Sequence, residues 1–305
     1  MNDVEFYLLL DRIEVQSANA ISSPITYGFP ALSGFLGAIH ALNRQLPPDL
    51  DFALDGVLVA CHECNVKRYR QHDFADYSLN QSRNPIKKNG KTASIIEEGK
   101  VDIIVSLVVE IRCGLDGYDF VSDNRVDLEE KIQRLVFQQR IAGGSVHGIG
   151  KVSIVSSSAE DDLKVALLPA FVLVDASQDL VDITAALQRE NTEATEIDAL
   201  IEVATLRHTP EENTSGETTG WATNSVKTGR GWLVPIPVGF QSIATAFPPG
   251  VLANSRSNNY TSEYVESLYG LGKWVFPHSI GRLSDSFWRY DNSGDGVFLI
   301  NQTND

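Results

Sequence analysis

Short apolar runs separated by polar stretches set the pattern of this chain. Residues 4–13, 54–64 and 101–111 are short and rich in aliphatic or β-branched side chains, which is typical of strands buried in a sheet. Residues 30–42 instead repeat their apolar positions at helical spacing and are followed by two prolines at 47 and 48. We therefore predict a strand, a helix and two further strands in this order.

Two more elements complete the core. Apolar positions recur loosely within residues 126–141, which favours a helix. After a glycine-rich segment, residues 170–174 form a fourth apolar run. The resulting order β-α-β-β-α-β is that of ferredoxin-like folds. The sequence thus predicts an α+β protein with a ferredoxin-like core over residues 1–175.

A long excursion, residues 65–100, separates the second and third predicted strands. Its length exceeds that of a plain connection in a compact domain. Residues 89 and 90 are Asn-Gly, the signature of a tight type I′ hairpin turn, and lysines surround them. We predict an inserted, basic β-hairpin that projects from the core.

The rest of the chain is less regular. Residues 180–206 predict one or two acidic amphipathic helices, and residues 208–230 are rich in Thr, Gly and Glu, which predicts a mobile loop. We take residues 176–230 as one acidic region made of these two parts. Residues 231–305 form a C-terminal extension that we expect to pack back on the core, with a helix near 262–269.

Composition narrows the functional classes. Hydrophobic residues make up 43% of the 305 and charged residues 21%, which allows a real core and excludes global disorder. No apolar run reaches the roughly 18–20 residues of a membrane helix, and the acidic start lacks the basic region of a secretory signal. Three cysteines make no disulfide framework. We expect a cytoplasmic protein in a reducing environment, with no membrane contact.

The formal net charge of −15 conceals local basic regions. Residues 62–100 hold eight basic and five acidic residues. Residues 221–290 hold six basic and three acidic residues. Residues 175–220, in contrast, hold eleven acids and two arginines, which we interpret as solvated helix faces. The average charge argues against a protein coated with nucleic acid, but the basic regions leave a local polyanion site open.

Cysteine and histidine residues give weak catalytic or metal signals. Cys61 and Cys64 lie near His72, but zinc needs a second ligand pair, and alternation along a strand would turn the two thiols to opposite faces. We interpret them as buried or incidental cysteines and expect no metal. The six histidines show no acid–base pairing in the sequence, so we expect no catalytic residues.

Two polar segments suit a nucleic acid. The glycine-rich residues 144–151 fail the phosphate-loop pattern, with Ser145 and Val152 at positions that require Gly and Ser or Thr. A simple turn and a close contact with phosphodiesters both remain open there. Residues 12–24 are rich in amides and hydroxyls, which suit base edges and sugars, or equally a turn capped by Asn and Ser.

Several ordered segments resemble a known family. Single motifs among them carry no weight, but together they run from residue 5 to about 290. The segments are 16–30, 82–88 with 94–99, 140–145, 167–171, 231–237 and 269–278. The chain resembles the Csy-two family, the Cas-five-type subunit of the type I-F CRISPR (Csy) surveillance complex in the RAMP superfamily.

The resemblance implies a fold, a function and partners. It implies an RRM-like core with a thumb hairpin, to which the basic Asn-Gly segment would correspond, and a glycine-rich loop at residues 143–150. Such subunits are not nucleases and need no cofactor. They bind the 5′ handle of the CRISPR RNA and end the RNA-bound filament beside a Cas-eight-type large subunit and a Cas-seven-type backbone subunit. The target DNA duplex as a neighbour through the assembled complex stays open.

This hypothesis assigns four groups of RNA-binding residues. The first strand would read bases or sugars, the glycine loop would hold phosphates, the thumb would cross the backbone, and a C-terminal group would stack on or clamp nucleotides. In that order, the residues are Arg12, Gln16, Asn19 and Ser22; Arg140, Gly143, Gly144 and Ser145; Arg83, Lys87, Lys88 and Lys91; Trp274, His278 and Arg282.

Two alternatives come from other classes. An endoribonuclease that cuts CRISPR RNA would need a histidine such as His40 or His147 for cleavage. A protein-only adaptor would dock a partner through the acidic region, and its assembly would not depend on salt as phosphate contacts do.

Overall fold

The computed structural model describes residues 3–47, 51–212, 218–255, 257–294 and 296–302. It confirms the α+β class, with strands that pair mostly in antiparallel fashion. Two compact units are present. The first comprises Met1–Phe171 with Phe276–Arg289, and the second comprises Val172–Val275 with Tyr290–Asp305.

The first unit contains nine strands and four α-helices among its described residues. In chain order these are β1 (Val4–Asn19), α1 (Leu32–Asn43), β2 (Phe52–Val66), β3 (Arg68–Tyr69), β4 (Ser78–Arg83), β5 (Ile95–Glu98), β6 (Lys100–Cys113), α2 (Leu115–Asp123), α3 (Arg125–Phe137), β7 (Arg140–Ile141), β8 (Gly144–Gly148), β9 (Lys151–Ser156) and α4 (Glu160–Ala166). The segment Phe276–Arg289 adds the short 3-10 helices Pro277–Ser279 and Leu283–Ser286.

The long strand β1 is the centre of this unit. One of its edges pairs with β6, which in turn pairs with β2. Its other edge is shared, because β9 pairs with the residues up to Asp11 and β8 pairs with the residues from Glu14 to Gln16. The short β7 continues the sheet beyond β8. Arg12 therefore lies where one partner strand of β1 ends and the next begins.

The predicted strands are present, but one neighbour of β1 was missed. The predicted helices at 30–42 and 126–141 correspond to α1 and α3. β9 lies within a region that the sequence reading left as a glycine-rich segment, because its six residues, Lys-Val-Ser-Ile-Val-Ser, alternate too briefly to stand out. In the first unit β9 pairs with β1, so the chain runs β1-α1-β2-β6-α3-β9 around the central sheet.

Burial on both faces explains the apolar runs of the central strands. Val105 to Ile111 on β6 are all buried, as are Phe6 to Leu10 on β1. The segment Phe276–Arg289 contributes to this core, since Trp288 is fully buried and exchanges two backbone hydrogen bonds of 2.9 Å with Val57. Each fully buried large side chain contributes about 1.5–3 kcal/mol to folding.

The excursion between β2 and β6 forms a small sheet of its own, in the order β3-β4-β5. β4 and β5 pair as a hairpin, and residues 84–94 connect them. The predicted type I′ turn at Asn89–Gly90 is wrong, because only Gly90 has a positive φ, at 75°, and its amide donates to the Lys87 carbonyl at 2.9 Å. The turn residues are therefore Lys88 and Asn89, with Gly90 in the position after them.

The second unit joins helices to strands. Its elements are β10 (Phe171–Asp175), α5 (Ser177–Gln188), α6 (Glu196–Ala204), β11 (Arg207–Glu212), β12 (Thr218–Asn224), β13 (Trp232–Ser242), β14 (Val265–Val275), β15 (Arg289–Gly294) and β16 (Val297–Asn301), with Phe171 and Arg289 counted in the first unit. The two helices confirm the predicted acidic helices. Their inner faces bury Ile183 and Val203 against Leu233 and Leu271. None of the helices described here is long and apolar enough to span a membrane.

Two predictions in this unit are wrong. The predicted loop at 208–230 contains β11 and β12, which pair in antiparallel fashion, although residues 213–217 lie outside the described part. The predicted helix at 262–269 overlaps the start of β14, which pairs along its whole length with β13. Cross-strand pairing outweighs the local pattern in both cases, because strand formation depends on neighbours that the local sequence does not show.

Of the three register shifts between β1 and β6, two are β-bulges in the middle of the strand, between Leu10 and Ile13 and between Val15 and Ala18. Each inserts one residue in the left-handed region, Arg12 with φ of 45° and Ser17 with φ of 55°, although neither is glycine. The predicted end of the strand near residue 13 is therefore wrong, since the amide-rich residues up to Asn19 continue the strand past both bulges. A bulge changes the face of the sheet to which the following side chains point. After each bulge, the alternation of exposed and buried side chains along β1 therefore shifts by one residue.

A polar side chain from β6 holds each bulge. The Arg12 amide donates to the Ser106 hydroxyl at 2.9 Å, and the Ser17 amide donates to the Asp102 carboxylate at 2.8 Å. Asp102 also pairs with Lys67 at 2.9 Å. Partial burial raises the pKa of Asp102, but the hydrogen bonds from Lys67 and Ser17 outweigh it, so this pKa lies below its ordinary value.

A buried ion pair crosses the core of the first unit. The Arg289 guanidinium donates to both carboxylate oxygens of Glu110, at 2.5 and 3.0 Å, and Glu110 is only 2% exposed. Arg112 lies 3.5 Å from the same carboxylate. Removing one partner of such a pair leaves a buried charge that is poorly compensated.

We expect Asp102→Asn to destabilise the protein at pH 7 and much less in acid. A carboxyl whose folded pKa is lowered stabilises the fold above its unfolded pKa of about 3.9, and this contribution is lost as the pH falls through the folded pKa. Urea midpoints measured from pH 7 down to pH 3 should therefore converge for the two proteins. Asp119→Asn, on the exposed face of α2, is the control. A difference in urea midpoint between the wild type and Asp102→Asn that stays constant with pH would contradict the stabilising role of the Asp102 carboxylate.

We expect Arg289→Met to lower the free energy of unfolding by about 3–5 kcal/mol, because Glu110 stays buried without its main partner. Arg125→Met removes an exposed pair with Glu129 and should cost less than about 1 kcal/mol. Urea unfolding measures both. The double variant Arg289→Met/Glu110→Leu should recover much of the loss, and a double variant no more stable than Arg289→Met would refute this explanation.

Candidate nucleic-acid interface

A row of three exposed side chains crosses β1, β8 and β7. Gln16 faces Ser145, and Ser145 faces Arg140 in the next pairing. Directly opposed residues of antiparallel strands point to the same face. The Arg140 guanidinium makes no hydrogen bond or ion pair with any residue that the structure describes. This row, which we call the Arg140 row, combines an amide, a hydroxyl and a cation on one surface.

A tight turn lies at the end of this row. Ala142 and Gly143, which connect β7 to β8, have φ of 48° and 79°, the combination of a type I′ hairpin turn. The Asn19 amide donates to the Ala142 carbonyl at 2.9 Å and fixes the turn to β1. Gly143 is exposed, and a Cβ there would meet only the Asn19 Cβ, at 4.0 Å. The backbone of the turn is thus accessible to a ligand.

Gly144 has a different role from Gly143. It is buried, and a Cβ there would come within 2.6 Å of a Val15 methyl and 2.7 Å of the Ala18 amide nitrogen. Gly34 on α1 approaches the turn equally closely, since its Cβ would lie 2.9 Å from Ala142. The predicted glycine loop is therefore a close-packed hairpin. Gly143 is its exposed residue, and Gly144 allows the hairpin to approach β1 closely because it has no side chain.

Arg12 is less available than the prediction assumed. Its guanidinium donates to the Asp11 carboxylate at 2.6 Å and to the Leu168 carbonyl at 3.0 Å. Next to it, the His62 imidazole is 2.8 Å from the buried Ser106 hydroxyl, and burial, followed by the charge of Arg12, lowers the pKa of His62. This cluster holds the first bulge, and Arg12 remains half exposed at its surface.

Asn19 and Ser22 shape the loop after β1. The Asn19 side chain donates to the Ile21 carbonyl at 2.8 Å and accepts from the Ile21 amide at 3.1 Å. The Ser22 hydroxyl bonds to the Thr26 side chain at 2.8 Å. Both residues therefore act as the turn caps that the sequence left open as one interpretation.

Lys67 and His147 were not among the predicted RNA-binding residues, although His147 was named as a possible cleavage residue of the nuclease alternative. Lys67 reaches Ser17 at 3.0 Å across 50 residues of sequence, and the positive charge of His147 on β8 helps to lower the pKa of Asp102. Lys67 therefore lies at the second bulge, where it is paired with Asp102. Lys67 was visible only as one of several basic residues, and the pairing that brings it to β1 leaves no local signal.

The four thumb residues lie in and beside the connection between β4 and β5. Arg83 is the last residue of β4, and Lys87, Lys88 and Lys91 follow in the loop. All four are exposed, and none forms an ion pair with a described residue. The inserted sheet therefore carries a cluster of uncompensated cations.

The C-terminal candidates belong to different units. Trp274 lies in the second unit, in the middle of the sheet formed by β10, β14 and β13, where it is half-buried with its ring 6.3 Å from that of Trp232. His278 and Arg282 lie in the first unit and are exposed. The Arg282 guanidinium already donates two hydrogen bonds to Asp285, at 3.0 and 3.2 Å.

The cysteine pair does not form a metal centre with described residues. No group of three potential ligands occurs in the part of the chain that the structure describes. Burial, followed by Cys64 and Glu63, raises the pKa of Cys61 to about 12, which keeps its thiol protonated at neutral pH. A protonated thiol is a poor ligand and a poor nucleophile.

Comparisons with known proteins cover almost the whole chain. The family model for CRISPR-associated protein (Cas_Csy2) matches residues 8–300. The CRISPR-associated protein Csy2 of Pseudomonas aeruginosa (strain UCBPP-PA14) is 33% identical over 315 residues, which cover 97% of this chain and 94% of that protein. The matched range contains the Arg140 row, both bulges of β1 and the inserted sheet. The chain therefore belongs to the Csy2 family of CRISPR-associated proteins.

Proposed function

We propose that the chain is a non-catalytic, RNA-binding subunit of a type I-F CRISPR surveillance complex. It binds the 5′ handle of the CRISPR RNA and ends the filament of Cas-seven-type backbone subunits, beside the Cas-eight-type large subunit. The family membership supports the complex. The observation that carries the RNA-binding role is the Arg140 row with its exposed glycine turn.

The row offers the contacts that single-stranded RNA requires. Arg140 would bind a phosphate, and the exposed backbone of Gly143 lets a second phosphate approach closely. Gln16 and Ser145 offer donors and acceptors to sugars or base edges beside them. Arg140 supplies the positive charge of the row, because the neighbouring Lys67 is paired with Asp102 and the whole chain is acidic.

The fold supports the same role. With β9 as its last strand, the sheet order β2-β6-β1-β9 suits a ferredoxin-like, RRM-like core, and the inserted sheet β3-β4-β5 would act as the thumb. Its four exposed cations would cross the RNA backbone. His278 and Arg282 would add a further contact, for which Arg282 must leave Asp285.

A nuclease role is less well supported. A histidine that cleaves RNA needs a positioned acid–base partner. His62 instead contacts the buried Ser106, and His40 and His147 make no side-chain hydrogen bond with a described residue. A protein-only adaptor role would not explain the uncompensated cations of the Arg140 row and the thumb.

We expect the variant Arg140→Gln/Lys87→Gln/Lys88→Gln to lose assembly on RNA while it stays folded. Each lost phosphate contact lowers the salt slope of log K by about 0.7 for a single strand. The measurement is the RNA that co-purifies with the chain after co-expression with its genomic neighbours, resolved on a denaturing gel.

The matched control removes the same charge elsewhere. Arg44, Arg134 and Arg189 are exposed on helices or at their ends, and their Gln variants should retain the RNA. Thermal unfolding checks that both triple variants fold. Equal RNA in the two variants would disprove the assignment of the Arg140 row and the thumb.

A further inference from the structure

A cavity of about 370 Å³ opens between the loop that follows β1 and the inserted sheet of the first unit. Its walls include Ile21, Tyr27, Arg68, Tyr77, Leu79 and Glu97. The volume falls within the range of pockets that hold small organic groups. None of the side chains that line this cavity is one of the predicted RNA-binding residues.

The loop wall is preformed. The Ser23 hydroxyl is 2.6 Å from the Thr26 hydroxyl and accepts the amides of Ile25 and Thr26. The Gly28 amide closes the loop on the Ala20 carbonyl at 2.8 Å. These hydrogen bonds within the loop satisfy its polar groups. The side chains that the loop directs into the cavity are apolar and aromatic, and they include Tyr27, which is 62% exposed.

The opposite wall carries a stacking platform. The Arg68 guanidinium lies over the ring of Tyr77, 4.2 Å from its centre, and Tyr77 is half exposed. Arg70 lies on the same ring at 5.1 Å, but it is bound to Asp73. Arg68 has no ion pair with any residue in the described part of the chain. An aromatic ring and an uncompensated guanidinium together form a surface on which nucleobases stack.

Glu97 places a carboxylate in the same cavity. One of its oxygens accepts the Leu79 amide at 3.3 Å, which orients the group and leaves its second oxygen available. A carboxylate accepts hydrogen bonds and donates none, so it favours a base that presents an amino group. Uracil carries carbonyls where cytosine carries its amino group, and these would face the carboxylate unfavourably.

We propose that this cavity binds one splayed, amino-bearing base of single-stranded RNA, with Tyr77 and Arg68 stacking on it and Glu97 accepting from its amino group. The inference rests on the proposed RNA-binding function and adds a base-selective pocket to it. Uracil is disfavoured there, and Arg68 is also placed to contact the phosphate of the bound nucleotide.

The test is the binding of fluorescent oligocytidine and oligouridine to the full-length chain, measured by anisotropy. The wild type should favour oligocytidine by about fivefold or more. Tyr77→Ala should weaken oligocytidine binding by about 5- to 150-fold, the range of one lost stack. Glu97→Gln should reduce the preference to less than about twofold, because its amide can donate to uracil.

Tyr260→Ala is the control, since Tyr260 is an exposed tyrosine of the second unit and should change neither affinity. Wild-type binding that does not distinguish the two RNAs, or no binding of either, overturns the pocket. The RNA content of the co-expressed complex separates the two proposals: RNA present there means that only the pocket inference fails, and RNA absent means that the proposed function fails too.

Discussion

The anchoring of the two bulges of β1 is the constraint on which the interface depends. An uninterrupted strand would alternate its side chains and would keep its amides in the ladder with β6. The bulges free the amides of Arg12 and Ser17, and Ser106 and Asp102 on β6 accept them. With both amides satisfied, two left-handed residues that are not glycine can persist in the middle of a sheet. Gln16 and Asn19 then meet the hairpin of β7 and β8 on the exposed side.

The same arrangement determines which charges near the interface are compensated by ion pairs. An acidic protein with a net charge of −15 needs local cations to hold a polyanion, and they must not be cancelled by neighbouring acids. Asp11 and Asp102 lie beside the interface, but Arg12 and Lys67 neutralise them. Arg140 and the thumb cations keep their charge uncompensated. The acidic helices α5 and α6 belong to the second unit, where their apolar faces build a separate core.

Much of the fold could be predicted from the sequence, because buried strands and amphipathic helices leave strong local patterns. β9 was missed because it spans only six residues, and the start of β14 was taken for a helix because its partner β13 is not visible from the local pattern. At the interface, Gln16, Ser145 and Arg140 were each predicted, but their alignment in one row depends on two strand pairings. The Asn89–Gly90 pair led to a wrong prediction of a type I′ turn. The type I′ turn lies instead at Ala142–Gly143, where the hairpin packs closely against β1.

The central claim is that RNA lies across β1 and the hairpin of β7 and β8. Ultraviolet crosslinking of the complex isolated with its RNA, followed by mass spectrometry of the peptides, tests it most directly. The account predicts nucleotide adducts on the peptides that contain residues 12–19 and 140–147. RNA in the complex with adducts only on other surfaces of this chain, or none on this chain at all, would contradict it.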